Sequence, residues 1–220
     1  MKLISRFWKP SITTPVLILT CSQLDGGARK RSFDLSRFLQ YSFIEGPTAT
    51  ELQMLDPLGI LQNPFNSGFG PHQWPLADAA VAYGHYRLWQ KVLEFKEPVL
   101  IMEDDTLLHP LANIDHLHYL KHRNQYPTPS VLTLWRHGIT VRSPFNRHYN
   151  QAQTSYGNSG ALGYLLDQKS AEYLLEHFSK ITSPLDHYLF GMGLGKQYSV
   201  FVTRYNLVRH KVTKSLRENQ

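Results

Sequence analysis

The chain is short of the features that mark secreted, membrane-spanning and disordered proteins. It holds one cysteine, Cys21, among 220 residues, which excludes an internal disulfide and fits a reducing compartment. No apolar run approaches the roughly 18–20 residues needed to span a bilayer. Charged residues are only 18% while hydrophobic residues reach 42%, so the chain can bury a sizeable core and is not a disordered, solvated polymer. Internal repeats and low-complexity linkers are also lacking, and one domain is expected over 16–212. An N-terminal segment 1–15 precedes it and a flexible tail 213–220 follows. Lys2, Arg6 and Lys9 ahead of the apolar stretch 16–19 and Cys21 imitate a lipoprotein signal. That stretch is too short, Pro10 and Pro15 interrupt it, and Thr20 suits a cleavage site poorly, so it reads as the first core strand.

Acidic residues are the scarcer sign: 17 Asp and Glu against 23 Lys and Arg, a net charge of +6 and a pI near 9.4. Such a balance can serve nucleic acid, an anionic membrane surface or anionic small substrates. The basic residues are dispersed, concentrating only at 29–31, 142–147 and 204–214. No zinc-finger spacing, aromatic RNA-binding signature or recognition-helix pattern accompanies them, so nucleic acid is not the expected partner. Association with an anionic membrane surface is the preferred reading of the charge.

Against that basic background, three of the few acids stand side by side. The stretch 99–102 (Val, Leu, Ile, Met) is apolar without alternation, as expected of a strand buried on both faces of a mostly parallel sheet, and it stops on Glu103-Asp104-Asp105. Adjacent carboxylates repel one another and resist desolvation unless a cation or a polar cleft receives them. Ligands of open α/β sheets bind beyond the carboxyl ends of strands. The position therefore suggests a divalent cation held through oxygen, together with a phosphate-bearing substrate. An acidic turn after a core strand is the plainer alternative.

Other segments read as follows. A strand at 16–20 leads through a polar turn at 22–27 into a helix over 28–41, with Arg29 and Arg31 near its start, where a diphosphate could meet guanidinium and backbone N–H donors. Residues 56–75 are an aromatic-bearing loop. A helix over 76–95 carries the stripe Ala82, Tyr86, Trp89, Leu93, and puts Asp78 and His85 on nearly the same side. Gly84 within it costs about 1 kcal/mol relative to Ala, which implies close approach by something else. A helix over 114–123, a strand at 131–135, a loop at 136–157 and a strand at 161–166 follow. Asp167 caps the next helix, whose buried face is Ala171, Leu174, Leu175 and Phe178. Ser183 and Asp186 have capping-box spacing around Pro184. The last strand covers 198–212 and carries His210.

In this order the blocks resemble bacterial glycosyltransferases of family 25, the lipopolysaccharide and lipooligosaccharide galactosyltransferase-like group. The resemblance rests on Asp78 to His85 followed by Leu88-Trp89, on Glu103-Asp104-Asp105, and on Ser159-Gly160-Ala161-Leu162-Gly163-Tyr164 followed by Ala171 to Leu175 and Pro184-Leu185-Asp186. Asp78 and Gly84 stand where Glu and Ser are usual. It covers about 16–190, and Arg29 and Arg31 fit the family's arginine-rich turn after strand one. The resemblance implies an α/β fold of GT-A type, a Rossmann-like, mostly parallel sheet flanked by helices in one domain. It also implies a UDP-sugar donor, most often UDP-galactose, and inverting transfer to a saccharide or glycolipid acceptor.

On that footing Asp105 with Asp104 would hold Mn2+ or Mg2+ at the donor diphosphate, with His210 as a further ligand or phosphate contact. Arg29 and Arg31 would supplement the cation, and Glu103 would orient the turn or meet the ribose. Asp186 is the first choice of general base, its capping role an equal alternative. His85 and Asp78 are the second choice, or a buttress in which Asp78 sets the imidazole tautomer. The loops 65–74 and 136–157, the latter with Arg136, His137, Arg142 and Arg147, would face the acceptor. A cytoplasmic protein, peripheral on the inner face of the inner membrane, follows. Two rivals stay open: a metal-dependent phosphodiesterase or nucleotidyltransferase, and a non-catalytic basic surface-binding module.

Overall fold

A computed structural model describes residues 12–55, 76–109, 129–136, 140–144, 149–153, 160–178, 185–192 and 198–211. The expected helix 114–123, the loop 56–75, His137, Arg147, Ser159, the Ser183-Pro184 cap and the tail 213–220 lie outside the described residues.

Among the described residues one eight-stranded sheet forms, in the order β2-β1-β3-β8-β5-β9-β7-β6. These strands are β1 Val16–Thr20, β2 Tyr41–Glu45, β3 Val99–Glu103, β5 Ser130–Thr133, β6 Thr140–Pro144, β7 Tyr149–Gln153, β8 Gly163–Leu166 and β9 Ser199–Thr203. From the pairings, β2, β1, β3, β5, β9 and β6 run one way, and only β8 and β7 oppose them. The mostly parallel, Rossmann-like α/β architecture is thus present, with one antiparallel strand inserted between β3 and β5. A separate ribbon pairs β4 Thr106–Leu108 with β10 Val208–His210, antiparallel.

Both faces of the sheet are covered, which is why β1 and β3 are apolar at nearly every position. Leu17, Leu19, Val99, Ile101 and Tyr164 face α4 Leu76–Val92 and α5 Gln168–Glu176, meeting Leu88, Trp89, Val92, Ala171 and Leu174. Val16, Ile18, Leu100, Met102 and Leu165 face the other way, onto Ile12, Phe33, Phe38, Leu207 and Val208. Ile12 bridges Phe38 ahead of β1 and is fully buried. Asp167 caps α5 as its sequence position implies, accepting from the Ser170 backbone N–H at 2.8 Å.

Three expectations need correction, and one element goes unread in the sequence. The helix expected over 28–41 is only α2 Ala28–Ser32, preceded by the short α1 Ser22–Asp25. Phe33 turns extended (φ −73°, ψ 128°), and Phe33 and Phe38 enter the second core from a non-helical segment that leads into β2. Thr48 and Glu51 form a capping box at α3 Ala49–Leu55, an element the pattern of apolar residues does not reveal. The segment 136–157 is not all loop, since β6 and β7 form a hairpin that extends the sheet beyond β9. The single strand 198–212 is two strands. Between them Thr203 Oγ1 donates to the Tyr205 carbonyl (2.8 Å) and Asn206 accepts from the Arg136 N–H (2.7 Å), which turns the chain out of the sheet and into the β4–β10 ribbon. Among the described residues no helix is long and apolar enough to cross a membrane.

Gly84 brings α4 down onto the end of β1. A Cβ there would lie 2.7 Å from Leu19 Cδ1 and 3.1 Å from Cδ2, and Gly46 lies against both Leu19 and Gly84. The approach sets the height of α4 above the strand ends where the acids sit. In urea denaturation, Gly84→Ala is expected to destabilise by about 1 kcal/mol despite its better helix propensity. In a Leu19→Ala background the same change should stabilise, giving a coupling of about 1–2 kcal/mol in the double-mutant cycle.

Candidate functional site

At the end of β3 the chain passes through Glu103-Asp104-Asp105 before returning in β4, and its backbone is tied on every side. Glu103 N–H donates to the Leu162 carbonyl (3.3 Å), Asp104 N–H to Leu19 (3.0 Å), and the Asp105 carbonyl accepts from Lys211 N–H (2.6 Å). The Thr106 hydroxyl adds a bond to the Leu162 carbonyl at 2.7 Å. Three like charges are therefore anchored by their neighbours' main chain, with the side chains left to face the strand ends.

Each carboxylate has its own surroundings. Asp104 accepts from the Thr20 hydroxyl at 2.7 Å, in the last position of β1. Arg29 Nη1 lies 3.2 Å from Asp105 Oδ2 and 3.7 Å from Asp104 Oδ1, with its side chain only 11% exposed. His210, delivered by the β4–β10 ribbon, has Nδ1 4.0 Å from Asp105 Oδ2 and is half exposed. Asp105 Oδ1 is buried and has no hydrogen-bond partner among the described residues.

The loop that delivers Arg29 is built by Asp25 and two glycines. Asp25 accepts from the backbone N–H groups of Gly27 (2.8 Å), Ala28 (3.1 Å) and Arg29 (3.0 Å). Gly26 (φ 61°) and Gly27 (φ 78°) are both left-handed, a conformation that side chains resist. The start of α2 therefore does not offer those N–H donors to a diphosphate as expected, because Asp25 takes them. Arg31 also departs from expectation: it is exposed, and its Nη1 donates to the Gly26 carbonyl at 2.6 Å, bracing the turn.

Burial pushes the Asp104 carboxyl above its usual range, against the pull of the Thr20 hydrogen bond and Arg29. Burial and then the neighbouring Glu103 charge push Asp105 up to about 7, with Arg29 only partly opposing them. These are the electrostatics of a site short of positive charge. A hard divalent cation fits: the buried Asp105 Oδ1 is a ready oxygen ligand, and Mg2+ or Mn2+ commonly takes one or two carboxylates with substrate phosphates completing the shell. Among the described residues no group of three or more acidic, histidine or cysteine side chains forms a self-sufficient metal cage. Nearby, burial and the acids around it raise the Cys21 thiol to about 11, which leaves it a poor nucleophile.

His85 lies beneath the turn and is fully buried. Its Nδ1 is 2.7 Å from the Tyr164 hydroxyl and its Nε2 is 3.3 Å from Glu103 Oε1. The expectation that Asp78 sets the tautomer is thus corrected, because both ring nitrogens are engaged by residues from β8 and β3. A turn-pair separation of about 10 Å along a helix axis keeps positions seven apart from meeting directly. Complete burial also removes His85 from contact with an acceptor hydroxyl, so it does not suit the role of general base. Asp186, in α6 Leu185–His187, is half-buried and accepts from the Gly160 N–H at 2.7 Å. Gly160 holds φ 116° and packs against His210, where an added Cβ would lie 3.3 Å from Nε2. Contacts through Gly160 and His210 thereby link Asp186 to the acidic turn. Thr20, Asp25 and the partner role of Tyr164 escape sequence reasoning; only the Asp-Gly-Gly turn carried a local signal.

Residues 75–189, just over half of the chain, match the family model described as glycosyltransferase family 25 (LPS biosynthesis protein). The matched stretch contains Asp78, His85, the acidic triplet and Asp186, while Arg29 and His210 lie outside it. No curated protein matches. Among solved structures the chain is similar to a mannose-1-phosphate geranyltransferase from Thermus thermophilus, at 12% identity over 90% of this chain and 75% of that one. The TM-score of 0.37 is too low to carry an argument.

The raised carboxyls make stability fall as pH rises. Folded Asp105 keeps a proton that the unfolded chain gives up near pH 4, so stability declines from there to about pH 7 and levels off above it. Asp105→Asn removes that penalty. By thermal melts across pH 4.5–8 without added metal, the variant should gain on the order of 1–3 kcal/mol over the parent at pH 8. The difference should shrink towards pH 4.5.

Proposed function

We propose that this chain, which belongs to glycosyltransferase family 25, transfers a hexose from a UDP-sugar, most simply UDP-galactose, to a saccharide acceptor of lipopolysaccharide or lipooligosaccharide. Membership gives a glycosyltransferase of LPS biosynthesis; the donor, the metal and the stereochemistry are the further content of the proposal. One observation carries it: the buried Asp105 oxygen at the end of β3, beside Asp104 and Arg29 and without a hydrogen-bond partner among the described residues.

Glycosyl transfer separates the anomeric carbon from a diphosphate, so negative charge grows on the phosphate oxygens. A Mn2+ or Mg2+ ion, when bound, supplies Lewis-acid stabilisation of that charge. Asp105 and Asp104 are the residues that would hold it, with His210 at the margin. Arg29 is close enough to both carboxylates to follow the charge onto the diphosphate, where a guanidinium can donate two parallel hydrogen bonds. Thr20 keeps the Asp104 carboxylate aimed while this happens.

Inversion needs one base on the acceptor side. Asp186 fits that role in kind. Its Oδ2 is oriented by the Gly160 N–H, and a carboxylate so held can still take a proton from an attacking hydroxyl. The fold is read as GT-A type on the same grounds. The protein is read as cytoplasmic, its basic surface against the anionic inner face of the inner membrane, where a glycolipid acceptor would present its sugar.

A thermal-shift screen of UDP and UDP-hexoses with and without Mn2+ tests the reading. The parent should be stabilised by nucleotide and metal together, and UDP should be the released product. Asp105→Ala should abolish the metal-dependent part of the shift and lower turnover by roughly 10²–10³-fold. Release of phosphate or pyrophosphate in place of UDP would favour a phosphodiesterase or nucleotidyltransferase. Absence of any nucleotide-dependent stabilisation would sink the proposal.

A further inference from the structure

The carboxyl end of the sheet carries a second cluster, across β8 from the acidic turn. β8 is antiparallel to both β3 and β5, and β9 is parallel to β5, so β3, β5 and β9 all finish at the same end of the sheet. Neighbouring strands lie about 4.8 Å apart, which puts the ends of β5 and β9 roughly 10 and 15 Å from that of β3. Trp135 and Arg136 follow β5, and Arg204, Tyr205 and Asn206 follow β9. The two segments are fastened together. Asn206 accepts from the Arg136 backbone N–H (2.7 Å), Arg136 Nη1 donates to the Arg204 carbonyl (3.1 Å), and the Leu207 N–H donates to the Leu134 carbonyl (3.0 Å). Trp135 joins this rim to the acidic turn: its ring meets His210 edge-on, centroids 6.0 Å apart, and His210 Nδ1 is 4.0 Å from Asp105.

Charge and exposure set the rim apart from an ordinary basic surface. Arg29 is paired with two carboxylates, whereas among the described residues no acidic side chain forms an ion pair with Arg136 or Arg204. Arg136 spends one guanidinium N–H on a backbone carbonyl, which fixes the group over the turn and leaves further donors in the fork geometry that suits phosphate or carboxylate. Beside them Tyr205 stands 76% exposed, the most exposed aromatic ring among the described residues. Its backbone is held by the Thr203 hydroxyl, which donates to the Tyr205 carbonyl at 2.8 Å. A ring presented in this way offers its face to the apolar C–H face of a sugar and keeps its hydroxyl in water. The donor diphosphate is already answered at β3 by Arg29 and the cation that Asp104 and Asp105 would hold. Unpaired positive charge roughly 10–15 Å away therefore suits a different anion.

We propose that Arg136, Arg204 and Tyr205 form an acceptor subsite for a saccharide bearing a phosphate or carboxylate group, Tyr205 stacking on the sugar ring and the two arginines holding the anion. This rests on the glycosyltransferase reading above and adds to it the charge class of the acceptor.

The test is saturation-transfer NMR titration of methyl glucoside, of the same glycoside phosphorylated on its primary hydroxyl, and of methyl glucuronide. Each is titrated into the parent and the Arg204→Gln, Arg136→Gln and Tyr205→Ala variants, with melting curves of all four and a UDP–Mn2+ thermal shift of the parent. The better anionic glycoside should bind the parent at least roughly tenfold more tightly than methyl glucoside. Which of the two does so separates phosphate from carboxylate. Either arginine substitution should remove most of that preference and leave methyl glucoside unchanged. Tyr205→Ala should weaken all three by a similar factor, roughly three- to tenfold. The Arg204 and Tyr205 side chains make no hydrogen bond among the described residues, so those two variants decide if Arg136→Gln does not fold. Equal binding of the three glycosides, or binding of none, overturns the subsite. Inorganic phosphate binding as tightly as the sugar phosphate also overturns it, reducing the rim to a general anion patch. Charge-selective sugar binding without a UDP–Mn2+ shift refutes the glycosyltransferase reading instead, and the acceptor role with it.

Discussion

Like charges resist burial, and the end of β3 buries two of them side by side. Much of the described structure around it answers that constraint. Thr20 at the end of β1 supplies a hydroxyl to Asp104, the Asp25-Gly-Gly turn delivers Arg29 between Asp104 and Asp105, and the β4–β10 ribbon closes over the turn and brings His210. The compensation is incomplete, as the upward displacement of both carboxyls records. A site left short of positive charge is suited to a ligand that brings its own, and a metal-chelated diphosphate is such a ligand.

The two faces of the sheet divide the work. On one, α2 and the ribbon handle the charged turn. On the other, α4 lies low over β1 because Gly84 lacks a side chain, and that height lets His85 reach Glu103 from below. The antiparallel β8 serves both faces. It carries Tyr164 to His85, and the Leu162 carbonyl just before it anchors Glu103 and Thr106.

Much of this was legible beforehand. Strands β1, β3, β5 and β8, helices α4 and α5, the Asp167 cap, and the acids at a strand's carboxyl end all follow from apolar runs, periodicity and capping residues. Helix α2 was overdrawn because its sequence lacks a breaker before Phe33, and the decision there belongs to the aromatic core that takes Phe33 and Phe38. The hairpin β6–β7 was missed because its residues are polar and gain strand structure from pairing. The spacing of Asp78 and His85 gives a shared helix side but not their contact, since the partners of His85 come from strands 18 and 79 residues away.

The sequence by itself determined the core strands and main helices, the family, and the placement of three acids where an α/β sheet binds ligands. Those depend on interactions within a few residues, which periodicity and caps express directly. Only the tertiary structure decided that Arg29 spans both aspartates, that Arg31 braces a turn, and that Tyr164 and Glu103 engage the ring nitrogens of His85. The pairings of His85 join residues brought together by the strand order β1-β3-β8. Side-chain direction, burial and proton placement at such junctions exist only once the sheet has assembled.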